Sequence, residues 1–204
     1  MAVLATLALA VSCRGFFVNP TLTAISISPS APEVELNNQV TLTVYGTYND
    51  GSTGQVNSGV SWSSGTPSVA NFISPTSNTL QGLSLGTTTI TANAQAVTGT
   101  ASATVYLGGI TAITISPTSG TATTNGTTVA QFTATATANG QSVDITTQGA
   151  TWTLSPASTY VTCTPSGTVE ECTATSGATL GNYTLTVTYP GTTISATATL
   201  SVPS

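Results

Sequence analysis

The sequence predicts an all-β chain of two tandem antiparallel β-sandwiches, and three observations carry that prediction. Apolar and polar residues alternate in short runs with a period of two, and no 3.6-residue periodicity competes. Gly, Pro, Asn, Asp and Ser clusters bound those runs, as turns require. The pattern also occurs twice. Leu22-Thr23-Ala24-Ile25-Ser26-Ile27-Ser28-Pro29 returns as Ile110-Thr111-Ala112-Ile113-Thr114-Ile115-Ser116-Pro117, a shift of 88 positions (113 − 25). Trp62 answers to Trp152, a shift of 90, and Gly86 to Gly181, a shift of 95. Copies of this size are tandem modules, not a solenoid of short repeats. The chain therefore divides into an apolar segment over 1–20, one sandwich over 21–107 and a second over 108–204.

The first module can be read strand by strand. Leu22 to Ser28 alternates and stops at Pro29, with Pro32 close behind, as an edge strand ended by prolines would. Val40, Leu42, Val44, Gly46 and Tyr48 alternate with threonines and Tyr45, a half-buried strand closed by the turn residues Asn49-Asp50-Gly51-Ser52. Val60 to Ser63 is a short strand holding Trp62, and Val69 to Ile73 is another. Thr88, Ile90, Ala92 and Ala94 share one face of the next strand; Ala101, Ala103, Val105 and Leu107 share one face of the last.

These residues resemble the bacterial immunoglobulin-like domain, group 2. The resemblance rests on Ile25-Ser26-Ile27-Ser28-Pro29, Gln39-Val40-Thr41-Leu42, Tyr48-Asn49-Asp50-Gly51-Ser52, Trp62-Ser63-Ser64, Val69-Ala70 and Gly86-Thr87-Thr88-Thr89-Ile90-Thr91-Ala92, in order along the module. It implies immunoglobulin-like sandwiches of the kind used in surface proteins, adhesins and extracellular assemblies, and it implies no activity.

In the second module, after the short Gly108-Gly109 linker, Phe132, Ala134, Ala136 and Ala138 form one strand face ended by Asn139-Gly140. Tyr183, Leu185, Val187 and Tyr189 form another, and Ile194, Ala196, Ala198, Leu200 and Val202 the last. Cys163 and Cys172 flank Pro165-Ser166-Gly167, so they can face each other across one hairpin as a structural disulfide. Glu170-Glu171 beside them reads as a solvated turn. Trp62 and Trp152, each in a short strand, read as core tryptophans sealed between the sheets rather than as sugar-stacking platforms.

Composition narrows the function. Of 204 residues one is basic (Arg14) and six are acidic, with no His or Lys. An ordinary domain is about one-quarter charged, so this surface must be made of Thr, Ser, Asn and Gln. With no basic patch, nucleic acid is not an expected partner. With no His or Lys there is no Ser-His-Asp triad, Schiff base or His-ligated metal, so no enzyme, cofactor or metal site is expected. So few titratable groups predict a weak dependence of stability on pH. Weak charge repulsion also removes a brake on self-association.

Met1 to Val11 is apolar apart from Thr6 and has two readings. Ala10-Val11-Ser12-Cys13 resembles a bacterial lipobox, in which Cys13 becomes the lipid-bearing residue and the membrane is met only through that lipid. Pairing Cys163 with Cys172 leaves Cys13 alone, as that reading needs. As a strand, however, Val3, Ala5, Leu7, Leu9 and Val11 fall on one face, suited to lying in a neighbour's open sheet edge. The expected function is thus a secreted or cell-surface structural protein whose partners are copies of itself in a filament. The alternative is a lipid-anchored adhesin or spacer that binds cell-surface carbohydrate or protein.

Overall fold

The computed structural model describes residues 19–203, and every regular element among them is a β-strand. Val3, Ala5, Leu7, Leu9, Val11 and Cys13 lie outside the described residues. Two sandwiches follow each other along the chain, as the alternation requires.

In the first, β1 (Leu22–Ser28), β4 (Thr43–Tyr48) and β5 (Thr53–Gln55) form one small sheet, in the order β1-β4-β5. A second small sheet has the order β3-β8-β7, from β3 (Gln39–Thr41), β7 (Ala70–Phe72) and β8 (Thr79–Gly82). Both face a four-stranded sheet of β2 (Glu33–Glu35), β10 (Val97–Tyr106), β9 (Gly86–Ala94) and β6 (Val60–Ser64). Leu42, Val44, Trp62, Leu80, Ile90, Ala92 and Ala103 are buried between the layers.

The second module repeats the plan. Strands β11 (Ile110–Ser116), β13 (Ala130–Ala138), β17 (Val169–Ala174) and β16 (Val161–Ser166) form one sheet, with β14 (Gln141–Asp144) also on β13. The opposite sheet is β12 (Ser119–Thr121), β19 (Ser195–Val202), β18 (Gly181–Thr188) and β15 (Thr151–Ser155). The small Ala134, Ala136 and Ala138 of β13 leave room for Tyr183, Leu185 and Val187 of β18, all buried in one cluster. The side chains that alternate with these point to water. Thr184 faces Thr199 and Thr186 faces Thr197 across β18 and β19, while Thr91 faces Thr100 and Thr89 faces Ser102 across β9 and β10. Threonine suits both halves of that position: its branched Cβ favours the strand and its hydroxyl hydrates the face.

Two features depart from the sequence reading. The stretch from Val40 to Tyr48 is not one strand; it breaks at Leu42 into β3 and β4, which pair with different neighbours, whereas its counterpart β13 runs unbroken. Nor is pairing wholly antiparallel. After Pro29 and Pro117 the chain crosses to the opposite sheet, where β2 runs parallel to β10 and β12 parallel to β19. Proline at the crossing removes a ladder donor where the strand leaves its first sheet.

The crossing also sets direction. Ile25 lies beside Gly99 and Glu33 beside Thr104, so the chain runs along β10 toward the Gly108-Gly109 linker. It therefore enters the first module at the pole away from the linker. By the same pairing in the second module, Ser119 beside Thr199 and Thr121 beside Ser201, β19 carries the chain away from the linker. The described chain enters and leaves at opposite poles.

Two substitutions test this packing. A Cβ at Gly99 would sit 2.8 Å from the Ile25 carbonyl oxygen, so Gly99→Ala is expected to destabilise by about 1–3 kcal/mol in chemical unfolding. The two-residue turn between β9 and β10 holds Gln95 at φ 51° and Ala96 at φ 66°, where an L side chain is strained. Ala96→Gly should therefore raise stability, by roughly 0.5–1 kcal/mol after glycine's own entropy is subtracted.

Candidate functional site

The two copies differ most at one place on their second strand. Along one side of β3 and β4, β8 pairs with residues 39–41 and β5 with residues 45–47. Between those ladders the backbone must find other partners. Leu42 N–H donates to the Asn78 carbonyl at 2.9 Å, and the Asn78 side-chain amide donates to Leu42 O at 2.7 Å. Val56 N–H donates to Val44 O at 2.8 Å. Val44 N–H has no acceptor in bonding geometry among the described residues.

In the second module the same break, between the β17 and β14 pairings of β13, is closed by Thr146. Its hydroxyl accepts from Ala134 N–H at 2.8 Å and donates to Asp144 Oδ1 at 2.6 Å. The Trp152 indole N–H donates to Thr146 O at 3.0 Å. Thr146 is 1% exposed and the adjoining Ile145 is fully buried. Counting back from the tryptophans shows why the modules differ: Ile145 to Trp152 spans one residue more than Val56 to Trp62, the residues that make the equivalent backbone bond. The first module has no residue to spare for a plug. It has instead a cleft of about 340 Å³ with Leu42, Val44 and Trp62 at its base and Gln55, Asn57 and Asn78 among the side chains around it.

The tryptophans are therefore not equivalent. Trp62 is buried and tilts against Phe72, with ring centroids 5.1 Å apart. Trp152 is half-buried at the rim of its cluster, held by the Thr146 bond.

Cys163 and Cys172 are directly opposed in the β16–β17 hairpin and form a disulfide. For so short a loop the bond contributes on the order of 2–3 kcal/mol. Glu170 overturns the expectation of a solvated turn. The turn is Gly167-Thr168, and Glu170 lies inside β17, paired with Pro165 on one side and Phe132 on the other. Residues 170, 172 and 174 share a strand face, so burying Cys172 and Ala174 buries Glu170 with them. That parity was available in the sequence once the cysteines were paired. Glu170 is 2% exposed, and Oε2 has no hydrogen-bond partner.

The remaining acids are dispersed, and no three potential metal ligands come together among the described residues. Asp50 Oδ1 accepts from the Ser52 N–H and hydroxyl in its turn, which holds its carboxyl below the ordinary value. Glu35 has a role the sequence did not disclose: its carboxylate accepts from the Asn139 amide at 2.9 Å across the linker, beside Leu36 and Leu107. Leu85 and Leu107 of the first module also bury themselves in the second module's cluster. A mostly apolar cavity of about 400 Å³ lies there, lined by both and by Tyr106, Tyr189 and Pro190. Among the described residues no helix is long and apolar enough to cross a membrane.

Residues 21–105 match the family model of the bacterial Ig-like domain (group 2). Ice-binding protein 1 of Shewanella frigidimarina (strain NCIMB 400) is 33% identical over 99 residues, which is 48% of this chain and 11% of that protein's length. Among solved structures, domains 5-6 of the S-layer protein SbsC superpose with a TM-score of 0.37 at 20% identity, covering 91% of this chain and 99% of that one. The Yersinia pseudotuberculosis adhesin InvE gives 0.49 at 13% identity, over 88% of this chain and 58% of that one.

Burial pushes the Glu170 pKa from an ordinary 4.5 up to about 7. The folded chain thus keeps a proton that the unfolded chain releases, and the weak pH dependence expected from composition is corrected at this one residue. Its stabilising contribution is complete below about pH 4.5 and declines as pH rises to 7. Thermal melts followed by circular dichroism should show the second module's transition falling by several degrees over that window, and Glu170→Gln should flatten the trend. A transition that instead rises with pH would contradict the assignment.

Proposed function

We propose that this chain, whose residues 21–105 form a bacterial Ig-like domain of group 2, is a non-enzymatic extracellular structural protein. Its modules join end to end with further copies in a filament or pilus-like assembly, and the apolar strand Val3, Ala5, Leu7, Leu9 and Val11 completes a neighbour's sheet. The observation that carries this reading is the polarity of the chain. The described chain begins, at Asn19, at the pole farthest from the linker and ends at the opposite pole, so both ends of the two-module unit are open to a next copy. Receiving edges exist: β16 and β15 each have one ladder partner. The surface around them is hydroxyl-bearing and almost uncharged, so little electrostatic repulsion opposes close approach.

A second reading is favoured by the cysteines. The Cys163–Cys172 bond uses two of three, leaving Cys13 for a lipid. The modules would then be a spacer or adhesin held at a cell surface, meeting carbohydrate or protein there.

Intact-mass measurement and electron microscopy of native material separate the two. Fibres built from chains that retain Met1–Ser12, and that fall to monomers by light scattering when residues 1–12 are deleted, support the filament. A mature chain beginning at an acylated Cys13 overturns it in favour of the anchored spacer.

A further inference from the structure

We infer that the cleft beside Trp62 is a binding site for a neutral saccharide, taken one ring deep between β5 and the turn that carries Asn78. The inference does not depend on whether the chain polymerises or is anchored. It begins from the contrast between the copies. The second module spends a buried threonine on closing this break in its sheet, while the first leaves the break open and its donors unused. Val44 N–H meets no acceptor among the described residues, and the Trp62 indole has no counterpart to the bond that Trp152 makes with Thr146. Unused donors at the floor of a cleft call for a ligand rich in acceptors.

The lining narrows the chemistry. No charged side chain takes part, so an ionic ligand would give up hydration and receive no counter-charge. A hydrocarbon would cover the amides of Gln55 and Asn57 without offering them partners. A molecule with hydroxyls on its edges and C–H groups on its faces satisfies both the amides and the Leu42, Val44 and Val60 side chains. The indole serves as an edge donor, because Trp62 is only 6% exposed and its ring lies against Phe72. An extended peptide fits poorly. From Leu42, tied to Asn78, to Gly46, paired with Gly54, the strand runs about 13 Å at 3.3 Å per residue, and within it Val44 O is already taken by the Val56 N–H. Strand addition needs a longer edge. The volume, about 340 Å³, falls at the small end of ligand sites.

Isotope-edited NMR of the full chain, titrated separately with glucose, galactose, mannose and N-acetylglucosamine, tests the assignment. At least one sugar should shift the Trp62 indole and Val44 amide signals saturably, with a Kd in the millimolar range, and leave the Trp152 indole unmoved. Asn57→Phe, at an exposed position on the cleft, should weaken that response at least tenfold while the melting temperature stays within a few degrees. Ser58→Phe does the same from the adjoining exposed position should the first variant misfold. No saturable shift with any of the four sugars overturns the inference. So do equal shifts at both indoles, retained binding in a folded Phe variant, or a response to a short neutral peptide and to none of the sugars.

Discussion

Close packing of two sheets across an inner face of aliphatic and small side chains is the interaction on which this structure depends. There is almost nothing else to hold it. With a single cation in the chain, ion pairing cannot contribute a network, and the Cys163–Cys172 bond ties only one hairpin. Stability must come from area removed from water, at roughly 25 cal/mol per Å² of apolar surface, and from pairing of nearly all the backbone. Alanine therefore carries weight beyond its size. Ala92 and Ala103 in one module, and Ala134 and Ala136 in the other, are fully buried and let the sheets approach, so that Ile90 or Leu185 can reach across.

The same dependence on backbone pairing explains why the two copies diverge where they do. A strand that serves two neighbours in succession must be unpaired where one ladder ends and the next begins. The second module meets that requirement internally with Thr146. The first meets it partly with Asn78 and leaves a cleft over Trp62. One residue of length in the connecting loop separates a sealed sandwich from one with an opening, without altering the strand order around it.

Glu170 is the exception to the apolar interior. Strand parity places it inward because its neighbours at 172 and 174 are there, and the sheet cannot release one residue of that face without turning the others. The carboxyl resolves the conflict by holding its proton. A chain with almost no charge thereby acquires one group whose ionisation is coupled to folding.

Much of this is legible in the sequence. The duplication, the alternating runs, the hairpin of Cys163 and Cys172 and the Asn139-Gly140 turn each follow from local chemistry: period-two burial, positive-φ turn residues and cross-strand proximity. The turn at Gln95-Ala96 was not legible, because neither residue favours the conformation and the flanking ladder imposes it. Nor were the break at Leu42, the Glu35–Asn139 contact across the linker, or the contrast between Trp62 and Trp152. Sequence alone determined the alternation that turns most strand residues inward or outward, Glu170 and Trp152 apart, and that the pattern is doubled, since those depend on neighbours two positions away. Which backbone groups remain unpaired, and which cleft they line, was decided only in the tertiary structure, because strands far apart in the chain must first be set side by side.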